Sequence, residues 1–410
     1  MAALMLVSCN ENNNEQETDI SERLRNMKSS SVIPVVRENR DKQLDDGYEP
    51  LNYEVQKGIW LSYIDLSAML YEADEAEFCE SFDKACKNIS ALGLNTVYVH
   101  LRPFGDALYE SSLYPTSAYL YGDFDPLEII CDTAHSYELS VHGWINPLRL
   151  QTAGELSQIS DSYKTAYWYQ SDSDKVRAVE NDDHLWLNPA YPEVRELIAQ
   201  GAAEIAAGYE IDGIHYDDYF YPTTDEYFDR QCFAATSQGQ DLDSWRLSNI
   251  SSMCTEIYSA VKAVDKDISV GISPQGNVDN NYSYMYADVE KWCSQTGYCD
   301  YILPQIYYGY NNSIMPFAKT LSRWKSMNTC KDVKLVIGLA AYKIGEEDEF
   351  TYNIGIVAQQ LSDVLADDDC AGVAVYTYSS LFDPDTELAD RISQENALIK
   401  AALADEQSEM

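Results

Sequence analysis

The chain has 410 residues, 45% of them hydrophobic, enough for a core larger than an average domain needs. Basic residues number 28 against 68 acidic ones, a net charge of −40. Such a surface disfavours nucleic acid, anionic lipid and heavily sulfated or uronate-rich ligands as partners, although an acidic surface also serves solubility alone. No apolar run reaches the length of about eighteen residues that a membrane-spanning helix needs.

Residues 1–9 read MAALMLVSC, and Leu6-Val7-Ser8-Cys9 resembles the lipobox of bacterial lipoproteins. That resemblance implies a signal remnant over 1–9, lipidation of Cys9, and a place at the cell envelope with the membrane engaged only through the lipid anchor. Residues 10–50 are dominated by Asn, Glu, Ser and Asp and read as a flexible polar tether. The remaining 51–405 are expected to form the folded domain.

From residue 58 onward, short β-rich runs alternate with helical patterns. The strand-like runs are 58–65, 96–103, 140–147, 213–220, 268–274, 301–308, 334–341 and 372–379. Helix-like stretches over 76–92, 192–207, 245–264 and 356–366 lie between them; the second opens on Pro192 in its first turn. This alternation predicts an α/β fold with a parallel sheet, and the count is that of a closed (β/α)8 TIM barrel. No G-x-G-x-x-G follows the first strand, which argues against an open doubly wound sheet. The longest connections follow strands 3 and 4 and are expected to wall a cleft. The first of them carries Tyr163, Tyr167, Trp168, Tyr169 and Trp186 as candidate sugar platforms.

Ten cysteines occur without a C-x-x-C or a metal-type cluster, so neither zinc nor any other cofactor is expected, and most thiols should be buried and free. The absence of a His/Asp metal cluster also argues against a polysaccharide deacetylase.

Barrel enzymes place their chemistry at the C-terminal ends of strands. Carboxylates there are few: Asp65 after strand 1, Asp106 after strand 2, and Asp217 and Asp218 on strand 4. Strand alternation puts Ile214 and Tyr216 on one face and His215 and Asp217 on the other. With Ile214 against the helices, Asp217 enters the barrel mouth and ranks above Asp218, which equally suits a turn cap. The same phase aligns Trp144 and Asn146 on strand 3, and Gln305 and Tyr307 on strand 6, as candidate substrate contacts. His215, one layer below Asp217, is either a functional residue, donating to a sugar hydroxyl or orienting Asp217, or a satisfied core histidine. Arg102 is expected to reach a substrate oxygen or a carboxylate, Asp65 or Asp106 among them.

The segments GIWLSYID, NTVYVHLRPFGDALYESSLYP, VHGWINPLRL, LWLNPAYPEVR, DGIHYDDYFYP and LPQIYYGY, in that order and spacing, resemble the glycosyl-hydrolase-like 10 family of bacterial TIM-barrel proteins. The resemblance spans about Gly58 to Ser380. It implies a glycoside hydrolase with its catalytic carboxylate in the strand 4 motif, here Asp217 with Asp218 beside it, and in one branch activity on peptidoglycan glycan. Strand 7 carries no carboxylate, unlike the family 10 xylanases. The partner of Asp217 is therefore Asp106, Asp65 or Asp218, or else the substrate's own acetamido group. The expected ligand is a polysaccharide or oligosaccharide. The competing expectation is a non-catalytic surface glycan-binding protein, which the scarcity of strand-end carboxylates favours.

Overall fold

The computed structural model describes residues 48–346 and 348–405. Cys9 and the segments read as signal and most of the tether lie outside the described residues.

The barrel strands are β1 (Gln56–Leu61), β2 (Thr96–Arg102), β3 (Ser140–Ile145), β4 (Gly213–Tyr216), β5 (Ser269–Ile272), β6 (Tyr301–Ile302), β7 in two pieces (Lys334–Leu335 and Ile337–Ala340) and β8 (Gly372–Tyr376). All pairs between them are parallel. The sheet has nine segments because β7 is interrupted at Val336: its first piece pairs with β6 and its second with β8. The bridge from Gln305 to Gly338 joins β6 to the second piece as well, so the ring closes on itself. Closure leaves no free strand edge.

Helices form the outer layer where the sequence carries both pattern and caps. Glu75–Leu92 starts on a capping box between Asp74 and Glu77 and stops at Gly93, whose φ of 102° suits glycine. Pro192–Gly208 begins with the proline the sequence placed in its first turn. Ile59, Leu61, Val97, Val99, Val141, Ile214 and Tyr216 pack outward against this layer. Each large apolar side chain so buried contributes roughly 1.5–3 kcal/mol. A one-residue slip would turn the whole set inward, so this shell fixes which residues face the barrel axis.

The interior is a separate cluster of Trp60, Tyr98, Trp144, Tyr301, Leu303, Val336 and Ala374. Space for its rings comes from glycines. A Cβ on Gly213 would sit 2.4 Å from the His142 ring, and one on Gly271 would sit 1.8 Å from the ring of Tyr301. Six described cysteines, Cys86, Cys131, Cys232, Cys254, Cys293 and Cys299, are buried free thiols.

Several expected strands end early. β1 stops at Leu61, and Asp65 becomes the third residue of the helix Tyr63–Leu70, where its carboxylate accepts from the N-cap residue Ser62. β6 is cut short by Pro304, and β4 ends at Tyr216, so Asp217 and Asp218 are the first two residues beyond it. The long connection after β3 folds into the short helices Ala153–Leu156 and Lys164–Gln170 and a hairpin of Ala178–Asn181 with His184–Leu187. Among the described residues no helix is long and apolar enough to cross a membrane.

Candidate active site

Asp217 is buried at the mouth end of β4. Burial pushes its carboxyl well above the usual carboxylate range, and the negative charge of Asp218 pushes it further. The backbone N–H of Tyr219, the indole of Trp144 and the guanidinium of Arg149 oppose this shift without overcoming it. Oδ1 of Asp217 and Nε1 of Trp144 close no hydrogen bond of normal geometry with protein atoms. The Trp144 indole is nonetheless directed at the Asp217 carboxyl, so the two partly satisfy each other.

Asp218 is less deeply placed. Nε2 of Gln305 lies 3.4 Å from its Oδ1, and Gln275 also bonds it. Burial raises its pKa too, while the two glutamines hold the charged form. Gln305 is fixed in turn by the Ser273 carbonyl at 3.1 Å. Tyr307 is buried beside this pair, its ring 5.8 Å from Tyr342 and 6.1 Å from Tyr376.

Below the mouth, the histidines form a locked layer. The indole N–H of Trp60 donates to Nε2 of His215 at 3.1 Å, so the other ring nitrogen carries the proton. That Nδ1–H meets Tyr301 Oη at 3.0 Å, and the Tyr301 hydroxyl donates onward to Nδ1 of His142 at 2.8 Å. Burial lowers both imidazoles, His142 to about 4, so both are neutral. His215 has both nitrogens occupied and is fully buried. Of the two readings, the geometry is that of a satisfied core histidine supporting the floor of the mouth.

Trp144 stacks on His100 with centroids 3.6 Å apart and planes at 9°. His100 bonds Asn146 Oδ1 at 3.1 Å, and Asn146 Nδ2 donates to the Pro103 carbonyl at 2.9 Å. Asn146 therefore ties β3 to the end of β2, which orients Trp144.

Three expectations are corrected. Arg102 does not reach the mouth. The register of β2 against β3 slips between His100 and Arg102, so Arg102 pairs with outward-facing Ile145 and points into the helix layer. Its guanidinium lies 4.2 Å from the Tyr114 ring centroid, beside Gly201. Asp106 is drawn into its own loop, bonding the Phe104 N–H at 3.2 Å and the Ser117 hydroxyl, and burial raises it to about 6. None of its described hydrogen bonds leads to Asp217. Asp65 is spent on Ser62, on the Thr377 hydroxyl at 2.7 Å and on the Ser379 N–H at 2.9 Å. Of the candidate platforms, Trp168 is buried in the outer core, whereas Trp186 lies 5.9 Å from Tyr219, next to the acidic pair.

Residue types and spacing did not single out Arg149, Tyr219, His184 or Phe104. Arg149 donates to Tyr219 Oη at 3.1 Å and meets His184 Nε2 at 3.3 Å. Its charge lies 4.8 Å from the Phe104 centroid and 4.9 Å from that of Tyr219. One available signal was a lone arginine three residues past Asn146 in a stretch without carboxylates. Two cavities open away from this chemistry. One of about 680 Å³ lies between the hairpin and residues 227–231, and one of about 330 Å³ lies at the opposite end of the barrel. Neither is lined by Asp217 or Asp218. Among the described residues no group of His, Cys, Asp and Glu is placed to hold a metal ion.

Comparison with known proteins agrees with this architecture. Residues 56–353 match the family described as glycosyl hydrolase-like 10. Glycosyl hydrolase YngK of Bacillus subtilis is 30% identical over 292 residues, covering 65% of this chain and 56% of that protein. The chain thus spans little more than half of that relative. Glycosyl hydrolase DigH of Escherichia coli K12 is 28% identical over 339 residues, covering 74% of this chain and 76% of that one. Among solved structures, the PgaB glycoside hydrolase domain from Bordetella bronchiseptica superposes with a TM-score of 0.56 at 12% identity, covering 82% of this chain and 99% of that one. The endo-1,4-beta-mannanase of Rhizomucor miehei gives 0.54 at 12% identity, covering 86% and 95%. At such identities the structures share the barrel fold.

Proposed function

We propose that this chain, which belongs to the glycosyl hydrolase-like 10 family, hydrolyses O-glycosidic bonds in an amino-sugar glycan of the peptidoglycan kind. The observation that carries the proposal is the pairing of two adjacent carboxyls in unequal surroundings. Burial raises both carboxyls, Asp217 much further, while the hydrogen bonds of Gln305 and Gln275 oppose the rise at Asp218. Carboxyls pushed apart in this way divide acid and base roles between them.

In this reading Asp217 gives its proton to the leaving glycosidic oxygen as the C1–O bond breaks. The described strand ends of β5 to β8 present no other Asp or Glu beside the pair. The carbonyl oxygen of the substrate's 2-acetamido group therefore attacks C1, while Asp218 accepts the acetamido N–H and steadies the positive charge that builds there. Water then attacks C1 and loses its proton to Asp217, and Asp218 helps the acetamido group re-form. Tyr307 and Trp144 line the same space. Lipidation at Cys9 would set this activity at the cell envelope, a reading supported by the lipobox-like residues 6–9.

A second reading, a glycan-binding protein without turnover, is favoured by the same scarcity of carboxylates. Incubation with purified peptidoglycan glycan strands, with release of reducing ends as readout, tests the proposal. New reducing ends support hydrolysis; saturable binding without them supports the second reading.

A further inference from the structure

The protein is strongly acidic, with a net charge of −40, and four of its eight described arginines pair with a carboxylate. Arg177, Arg195, Arg246 and Arg323 each form an ion pair. Arg149 does not, although only 9% of its surface is exposed; Arg102 is likewise buried without an ion pair but points into the helix layer, whereas Arg149 lies beside the acidic pair. Its hydrogen-bond partners are neutral: the Tyr219 hydroxyl at 3.1 Å and His184 at 3.3 Å. His184 is held neutral by burial and by Arg149 itself. The rings of Phe104 and Tyr219 flank the charge at 4.8 and 4.9 Å.

A buried guanidinium without a counter-charge is unfavourable, and neutral hydrogen bonds offset only part of that cost. Asp217 lies within its field, with its pKa raised by burial, and Glu155 and Asp183 act on the neighbouring His184, but none of the three pairs with the guanidinium. A guanidinium also carries more donors than these two contacts use, in a planar fork that matches a carboxylate. Tyr219, which Arg149 holds, follows the acidic pair directly in the chain. Arg149 thus presents a guanidinium without an ion-pair partner next to the acidic pair.

We infer that Arg149 is a specificity-determining residue that binds a carboxylate carried by the sugar in the mouth, such as the lactyl ether of a muramic residue. The inference rests on the amino-sugar reading above and narrows it. One carboxylate on a sugar residue meets one arginine, whereas a polyanion would meet the repulsion of the whole surface. Arginine suits the role better than lysine because the flanking rings and the two hydrogen bonds fix its plane.

The test compares two oligosaccharides that differ only in the carboxyl, one carrying it free and one with it reduced to the alcohol. The full chain should prefer the free acid by about tenfold or more in kcat/KM, the size expected of a charge-assisted hydrogen bond. Arg149→Gln should bring that ratio close to unity, and Arg149→Lys, which keeps the charge without the fork, should retain part of it. An unchanged ratio in Arg149→Gln, or preference of the unaltered chain for the reduced sugar, overturns the inference. The same ratio read as Kd by calorimetry on Asp217→Asn decides the role of Arg149 even if no hydrolysis is seen. Absence of hydrolysis alone counts against the amino-sugar hydrolase reading.

Discussion

Asp218 raises the pKa of Asp217, and the two carboxyls differ in what holds them. Asp217 is enclosed with Oδ1 unbonded, whereas Asp218 is met by Gln305 at 3.4 Å and by Gln275. The order of proton loss follows from this placement: Asp218 ionises first and Asp217 keeps its proton to higher pH.

Replacing Asp218 should therefore move the proton of Asp217. Asp218→Asn removes the neighbouring negative charge, so the pKa of Asp217 falls. The alkaline limb of the pH–rate profile, measured on the residual activity, should shift to lower pH. A limb that stays in place means that Asp218 does not govern the ionisation of the acid.

Asp217 also bears on stability. Its folded pKa lies above its unfolded value of about 4, so the folded state holds the extra proton. That burden is absent at pH below about 4 and grows as pH rises toward the folded pKa. Asp217→Asn should consequently raise Tm at pH 7, with the gain vanishing near pH 3. Thermal unfolding at the two pH values checks this, and equal effects at both would contradict the assignment of a buried, proton-holding carboxyl.

The floor of the barrel should be intolerant of small additions. A Cβ at Gly271 would press on the Tyr301 ring, which joins His142 to His215. Gly271→Ala is expected to cost about 1–3 kcal/mol in denaturant unfolding. A neutral result would mean that the ring moves aside freely and that the histidine layer is not rigid.

Arg102 offers a control outside the site. It packs against Tyr114 and the helix Pro192–Gly208, with the Tyr109 hydroxyl also beside its guanidinium. Arg102→Met keeps most of the stem volume and removes a buried charge, so stability should change by less than about 1.5 kcal/mol. The ratio kcat/KM should stay within about twofold. A large loss of kcat/KM would restore Arg102 to the mouth.

Much of this arrangement was legible in the sequence because the outer core has a simple period. Ile214 and Tyr216 had to face the helices, and that alone sends Asp217 inward. The same phase oriented Trp144 correctly. Arg102 escaped because a register slip in β2 reverses the phase after His100, and two-residue alternation cannot reveal an irregular step. Asp65 escaped because Ser62 and Asp65 form a capping box, a helix-start signal hidden within an apolar run. Arg149 and His184 meet only because the long connection after β3 folds back as a hairpin, a tertiary event that spacing along the chain does not encode.

The central claim is that Asp217 is the proton donor in glycosidic bond cleavage. Turnover of an N-acetylated amino-sugar oligosaccharide by the unaltered chain and by Asp217→Asn, with Kd measured on both, tests it most directly. With Asp217 as the proton donor, kcat falls about a thousandfold or more in Asp217→Asn with little change in Kd. Equal rates in the two proteins, or tight binding without cleavage by the unaltered chain at any pH, would contradict it.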